Sequence, residues 1–152
     1  MARRVGLAGA VFVLLVTMIG CSGESGVSAG ASVAAYVEAP LCAGAKRALA
    51  QQNGKAGEVR VRAVCLTPAA KGERVDLATI GANARRATED SASVAYIEAP
   101  ARPSFSRPIV ESASIAVIRA SSGAVAMDRL LKAVADSGSS GSLRESVREA
   151  LS

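Results

Sequence analysis

The chain has 152 residues, of which 50% are hydrophobic but only 3% aromatic, so Val, Ile, Leu and Ala must fill the core of one modest domain. It contains no histidine, which excludes Ser-His-Asp and Cys-His catalysis and removes the commonest metal ligand. The formal charge is +5, and the arginines are scattered with few aromatic residues among them. This pattern favours a solvated surface over a nucleic-acid-binding one, and neither an enzyme activity nor a metal nor a nucleic-acid partner is predicted.

The N-terminal segment predicts export. Arg3 and Arg4 form a basic start, and residues 5–19 are an apolar stretch that is short for a membrane-spanning helix and typical of a signal peptide. The stretch runs into the tetrapeptide MIGC, which resembles the lipobox of bacterial lipoproteins, although leucine is usual where Met18 stands. Cys21 is therefore the predicted lipidation site, and an ordinary signal peptide followed by a chance cysteine is the alternative.

This interpretation divides the chain into three parts. Residues 1–20 are predicted to be a lipoprotein signal peptide, and residues 21–32 the lipid-anchor cysteine and a flexible tether rich in Ser and Gly. Residues 33–152 are predicted to be a single α/β lobe. An acyl anchor with a loose spacer would hold that lobe at the extracytoplasmic face of the cell membrane.

One short phrase occurs twice in the predicted lobe. SVAAYVEAP at residues 32–40 returns as SVAYIEAP at residues 93–100. Each copy is an apolar run with a β-branched residue beside its tyrosine, stopped by Ala-Pro, which is typical of a buried strand. Each predicted strand delivers one glutamate, Glu38 or Glu98, to its C-terminal end.

Periodicity and capping residues predict the other elements. Helices are predicted at 41–53, 77–89 and 124–135, with a short one opened by Ser106 and a last one opened by the capping box at 142–145; further strands are predicted at 58–65 and 114–118. The resulting order, βαβαβαβαα, predicts an α/β fold: a doubly wound parallel sheet of about four strands in the order 2-1-3-4, with helices on both faces. Its switch point falls between the first and third strands, which are the two copies of the repeat.

Ligands in such sheets bind beyond the carboxyl ends of the strands at the switch point. Glu38 and Glu98 are therefore predicted to lie roughly 5 Å apart, one strand spacing. Two carboxylates that close repel, and the pKa of one rises unless a cation intervenes; Arg119, at the end of the next strand, or a ligand ammonium group would serve. Two solvated strand-end glutamates with no ligand are the alternative.

Hydroxyl groups gather after the third and fourth predicted strands. Ser104, Ser106, Ser121 and Ser122 offer donors suited to a carboxylate, with helix capping and turn formation as the alternative. No G-x-G-x-x-G motif or phosphate loop follows the first strand, so no nucleotide or other cofactor is predicted.

Cys42 and Cys65 follow or end neighbouring predicted strands. In a parallel sheet both thiols would emerge at the same edge, and export places them where disulfides persist. A disulfide is favoured, and two separately buried thiols are the alternative.

A family resemblance rests on these segments together: the lipobox, the tether, VAAYVEAP, LATIGANARRATED, VAYIEAP, FSRPIVESASIAVIRASSG and the C-terminal AVAMDRLLKAVADSGSSGSLRESVREAL. They resemble type I periplasmic binding proteins, and within them the substrate-binding lipoproteins of branched-chain amino-acid ABC transporters. The resemblance implies that Ser104 or Ser106, the Ala120 backbone and the hydroxyl of Ser121 or Ser122 clamp the α-carboxylate and α-amino groups of an amino acid. Family members have two lobes, whereas this chain shows the pattern of lobe one.

The expected function follows from the resemblance: a lipid-anchored extracytoplasmic solute-binding protein, reduced to one lobe, that presents an amino acid or similar small molecule to an ABC permease. The alternative is a non-transport lipoprotein that uses the same lobe as an interaction or sensory module, or a degenerate paralogue.

Overall fold

The computed structural model describes residues 31–72, 74–100, 103–137 and 142–152. The predicted signal peptide, the lipidated Cys21 and all but the last two residues of the predicted tether lie outside these ranges. Every helix within them is too short or too polar to span a lipid bilayer.

Strands and helices alternate along the described chain, which confirms the predicted α/β class. The elements are β1 (Ser32–Val37), α1 (Ala39–Gln51), β2 (Lys55–Ala56), β3 (Val59–Cys65), β4 (Ala70–Lys71), β5 (Arg74–Val75), α2 (Leu77–Glu89), β6 (Ser93–Glu98), α3 (Arg107–Ser112), β7 (Ala116–Arg119), α4 (Gly123–Asp136) and α5 (Leu143–Leu151). Helix α2 begins where its sequence predicts, because the Asp76 carboxylate accepts hydrogen bonds from the N–H groups of Ala78 and Thr79.

The main sheet has the strand order β2-β3-β1-β6-β7. Strands β3, β1, β6 and β7 run parallel, and the two-residue β2 runs antiparallel at one edge. The two copies of the repeat are thus adjacent strands, β1 and β6, with Tyr36 opposite Tyr96 and Val37 opposite Ile97. Nearly every residue of both is buried, as expected for strands covered on both faces.

The sheet separates two apolar layers. On one face Val33, Ala35 and Val37 of β1 pack with residues of α1, α4 and α5. On the other face Ala34 and Tyr36 pack with residues of α2 and α3. Alternation along β1 therefore assigns each side chain to one layer or the other, which is the period of a strand.

Helices α1 and α4 approach closely at Gly123. A Cβ at this position would overlap the Leu41 carbonyl oxygen and lie 2.8 Å from the Ala45 backbone nitrogen. Only glycine fits there, and the small residues at this crossing allow a thin helix layer over the sheet.

The short elements were not predicted from the sequence. Strand β2 pairs with the start of β3, so β3 is not the edge strand that the predicted order 2-1-3-4 makes it. The segment after β3, where no helix or strand is predicted, contains the β4–β5 hairpin. Two-residue strands have no periodicity to detect.

Some predicted element ends and one predicted cap also differ. Helix α1 ends at Gln51 instead of residue 53, and the left-handed turn that follows starts at Asn53 (φ 54°) and continues through Gly54. The strand predicted from 114 begins at Ala116, because Ser114 has a φ of 58° and cannot be extended. Ser142 is the N-cap of α5, but its side chain makes no capping hydrogen bond, so the predicted capping box is not formed.

Cys42 of α1 and Cys65 at the end of β3 form a disulfide, with their Cα atoms 5.6 Å apart. The structure thus confirms the disulfide, which the sequence favours over two separately buried thiols. The bond ties the first turn of α1 to the end of β3, so it fixes two segments that leave the same edge of the sheet.

A polar cluster joins three strands near the amino end of β6. The Asp90 carboxylate accepts hydrogen bonds from the Tyr36 hydroxyl at 2.9 Å, from the Ala92 N–H at 2.9 Å and from the Arg62 guanidinium. Burial raises the pKa of Asp90, but these donors outweigh it and hold the pKa below its ordinary value. The cluster therefore stabilises the folded chain most when Asp90 is ionised.

Replacing Asp90 by Asn tests this cluster. At pH 7 we expect Asp90→Asn to lower the free energy of unfolding by about 1–2 kcal/mol, because the donors lose a charged acceptor. The pKa of Asp90 is lower in the folded chain than in the unfolded chain. Its stabilising contribution is therefore fully present above the unfolded pKa of about 3.9 and is lost as pH falls through the folded pKa. Urea unfolding across this pH range measures the effect, with Asp128→Asn at an exposed position as the control. A destabilisation that does not shrink in acid would contradict the account.

The contact between α1 and α4 gives a matched pair of variants. Gly123→Ala should lower the free energy of unfolding by about 1–3 kcal/mol or more, because its methyl group has no space. Gly81→Ala, where a Cβ would lie 3.5 Å from an Arg85 nitrogen in α2, should instead stabilise by about 0.5–1 kcal/mol. Chemical denaturation measures both, and an unchanged midpoint for Gly123→Ala would refute the close crossing.

Candidate functional site

A cavity of about 300 Å³ lies at the carboxyl ends of β1 and β6. After β1 the chain continues to one face of the sheet, and after β6 it continues to the other face. The cavity lies where these two segments diverge, which is the position where ligands bind in open α/β sheets. Its lining comes from the ends of both strands, the loop after β3, helix α2 and the segment before α3: Glu38, Ala39, Pro40, Thr67, Pro68, Ala69, Ala70, Gly72, Ile80, Asn83, Tyr96, Glu98, Ala99, Pro103, Phe105 and Ser106.

Glu38 is held against the end of β6 by two contacts. Its backbone N–H donates to the Ile97 carbonyl at 2.9 Å, which continues the ladder one residue beyond β1. Its side chain reaches across to β6, where Oε2 accepts the Ala99 N–H at 2.8 Å. The half-buried carboxylate is therefore fixed beside Glu98 by the pairing of the two strands.

Glu98 is a buried carboxylate, 3% exposed. Its Oε2 accepts the Ser106 hydroxyl at 2.7 Å, and Arg119 of β7 lies with Nε 3.3 Å from Oε1. The contact expected between Arg119 and Glu98 is thus present, and it compensates a charge that burial would otherwise make costly. Arg119 also donates to the Pro100 carbonyl at 2.9 Å. Among the described residues, none forms a hydrogen bond with Oε1 of Glu98.

Tyr96 is a cavity residue that the sequence analysis did not select. It is 2% exposed, and burial raises the pKa of its phenol, with the charges of Glu38 and Glu98 raising it further and a hydrogen bond with Ser106 opposing them. The phenol therefore stays protonated. Its counterpart Tyr36, directly opposite in the sheet, donates instead to Asp90 at the other end of β6.

Asn83 of α2 positions another wall of the cavity. Its buried amide donates from Nδ2 to the Thr67 carbonyl at 2.8 Å, and its Oδ1 accepts the Thr67 N–H at 3.3 Å. Both contacts fix the loop after β3, and the Cys42–Cys65 disulfide fixes the strand end just before it. Asn83 lies within the LATIGANARRATED segment, but no sequence signal linked it to Thr67.

The remaining wall is apolar. Ile80, Pro68 and Pro103 line it, and the ring of Phe105 is 47% exposed. Phe105 therefore adds an aromatic surface to this wall that a ligand could contact.

The structure brings together three of the eight predicted ligand residues. Glu38, Glu98 and Ser106 line the cavity, and Arg119, which is not among the lining residues, forms an ion pair with Glu98. Ser104, Ala120, Ser121 and Ser122 are not among the lining residues of this cavity.

The positions of the excluded serines have a structural reason. Ser122 is the N-cap of α4, which packs on α1, whereas α2 and the segment before α3, which line the cavity, lie toward the other face of the sheet. Ser104 is partly buried, and its hydroxyl oxygen forms no hydrogen bond within the described chain.

A second, larger hollow of about 740 Å³ runs along β7 between α3 and α5. Its charged lining residues, among them Glu111, Arg148 and Glu149, are exposed. The smaller cavity is the better candidate because its polar groups are buried, hydrogen-bonded and convergent.

Comparison of the chain with models of known protein families, with curated proteins and with solved structures found no match. The resemblance to type I periplasmic binding proteins therefore stays a prediction from the sequence. A functional assignment therefore rests on the geometry of the cavity and on the sequence.

Proposed function

We propose that this protein is a lipid-anchored extracytoplasmic solute-binding protein, which binds an amino acid or similar small molecule in the cavity and presents it to an ABC permease. The observation that carries the proposal is the cavity between the ends of β1 and β6, with the buried Glu98 in its lining. Within the described chain, Oε1 of Glu98 is paired with Arg119 and accepts no hydrogen bond, so this buried carboxylate is not fully satisfied by the protein.

The cavity supplies the two kinds of contact that a small amphipathic solute needs. Glu38 and Glu98 offer carboxylate oxygens for an ammonium group, and Ile80, Pro68 and Phe105 offer an apolar wall. Its volume is at the lower end of the range of ligand pockets, about 300 to 1,000 Å³, which suits a molecule of amino-acid size.

The location forms part of the same proposal. The MIGC tetrapeptide supports acylation of Cys21, and residues 21–32 would give the lobe reach from the membrane surface. An anchored binding protein keeps its ligand near a permease, as the resemblance to transporter lipoproteins implies.

Calorimetric titration of the full-length protein with a panel of amino acids tests binding. We expect at least one member of the panel to bind, and Ser106→Ala to weaken that binding about 3- to 10-fold, because Glu98 loses the hydroxyl that orients it. Ser122→Ala is the matched control and should leave the affinity unchanged, since Ser122 does not line the cavity.

Silence across the panel would contradict amino-acid binding and would favour the interaction or sensory module. Binding that is lost in Ser122→Ala but kept in Ser106→Ala would move the site to the other face of the sheet. Circular dichroism at the titration temperature confirms that each variant is folded.

A further inference from the structure

We propose that the cavity selects small molecules whose only charged group is a protonated primary amine, in preference to amino acids, which carry an α-carboxylate as well. The inference rests on the proposed function, since it names the ligand class of the same cavity. It follows from the charges, the acceptors and the donors that the described lining presents.

The lining is acidic. Among its described residues Glu38 and Glu98 are the ionisable carboxylates, and no lysine or arginine accompanies them. Arg119 contacts Oε1 of Glu98 and the Pro100 carbonyl, so it offsets one of the two negative charges. The field of both carboxylates reaches the Tyr96 phenol, whose pKa they raise after burial itself. A cation is therefore favoured in the cavity, and a second anion is opposed.

The charged hydrogen-bonding groups of the described lining are acceptors. Oε1 of Glu98 is buried and accepts no hydrogen bond within the described chain, although its charge is offset by Arg119. Glu38 carries a second carboxylate whose Oε2 is bound to the Ala99 N–H. An ammonium group has three N–H donors and no acceptor, so it complements carboxylate oxygens of this kind.

Three donors of the described lining are already used within the protein. The Ala99 N–H donates to Glu38, the Thr67 N–H to Asn83 and the Ser106 hydroxyl to Glu98. Ser121 and Ser122, the hydroxyls expected to hold an α-carboxylate, do not line the cavity. An amino acid would thus bring its carboxylate close to Glu38 and Glu98, where these three donors are engaged, which costs affinity.

A metal ion fits the same carboxylates less well. Within residues 31–72, 74–100, 103–137 and 142–152 there is no cluster of three His, Cys, Asp or Glu side chains. Calcium takes 6–8 oxygen ligands, and two glutamates that are each already hydrogen-bonded supply few of them. The apolar wall of Ile80, Pro68 and Phe105 suits the hydrocarbon part of an organic amine instead.

Three matched probes test the selectivity by calorimetry on the full-length protein at one salt concentration. They are 3-methylbutylamine, which is leucine without its carboxylate; L-leucine itself; and 4-methylpentanoate, which is leucine without its amine. We expect the amine to bind roughly 10-fold or more tightly than leucine, the value of about one charge-assisted interaction, and the acid not to bind.

A charge-removing variant assigns the effect to this cavity. Glu38→Gln should weaken binding of 3-methylbutylamine roughly 10-fold or more, while its amide oxygen can still accept the Ala99 N–H and keep the strand end in place. Glu58→Gln, an exposed glutamate in the turn between β2 and β3, should leave the affinity unchanged. If Glu38→Gln does not fold, Phe105→Ala replaces it, since that ring is 47% exposed, and should weaken binding several-fold.

The outcomes separate this inference from the proposed function. Leucine binding as tightly as the amine would overturn amine selectivity and leave solute binding intact. An amine affinity unchanged in the folded Glu38→Gln variant, or amine displaced by calcium chloride at matched ionic strength, would overturn it as well. No binding of any probe or of the amino-acid panel would remove both proposals.

Discussion

The parallel pairing of β1 with β6 is the constraint on which the candidate site depends. The ladder runs one residue beyond β1, where the Glu38 N–H donates to the Ile97 carbonyl, and the Glu38 side chain then accepts the Ala99 N–H. These contacts place the two repeat glutamates at one edge of the sheet, between chain segments that diverge to opposite sides. The disulfide and the Asn83 amide fix the loop after β3 at the same edge. The cavity is thus framed by strand pairing, a covalent bond and a buried amide.

The polar clusters around Asp90 and Glu98 differ in how completely their hydrogen-bonding groups are satisfied. Asp90 accepts three donors that join β1, β3 and the start of β6, which is the behaviour of a structural carboxylate. Glu98 is more deeply buried, yet its Oε1 has an ion pair with Arg119 and no hydrogen bond within the described chain. Burying a charge with incomplete hydrogen bonding costs stability, and native chains keep such groups mainly at functional sites. This contrast is the physical reason for assigning function to the carboxyl edge.

The features that the sequence predicted well are those with a local cause. The buried runs of the repeat and the start of α2 each follow from nearby residues, and the structure confirms both. Features set by the tertiary arrangement were missed. Tyr36 and Tyr96 occupy equivalent places in the repeat. The Tyr36 hydroxyl donates to Asp90 near the amino end of β6, whereas Tyr96 lines the cavity at the carboxyl end, and no local pattern distinguishes the two. Ser122 was expected at the cavity because it follows a neighbouring strand, whereas the packing of α4 on α1 places it on the other face.

The central claim is that the edge where β1 and β6 end is the ligand site, and amide chemical shifts test it most directly. A ¹H–¹⁵N correlation spectrum of the labelled protein, titrated with 3-methylbutylamine, should show saturable shifts at Thr67, Ala99 and Phe105, whose backbones surround the cavity. Amides along the hollow beside β7, such as Val117 and Arg148, should not move. Saturable shifts at Val117 and Arg148 with none at Ala99 would contradict the account.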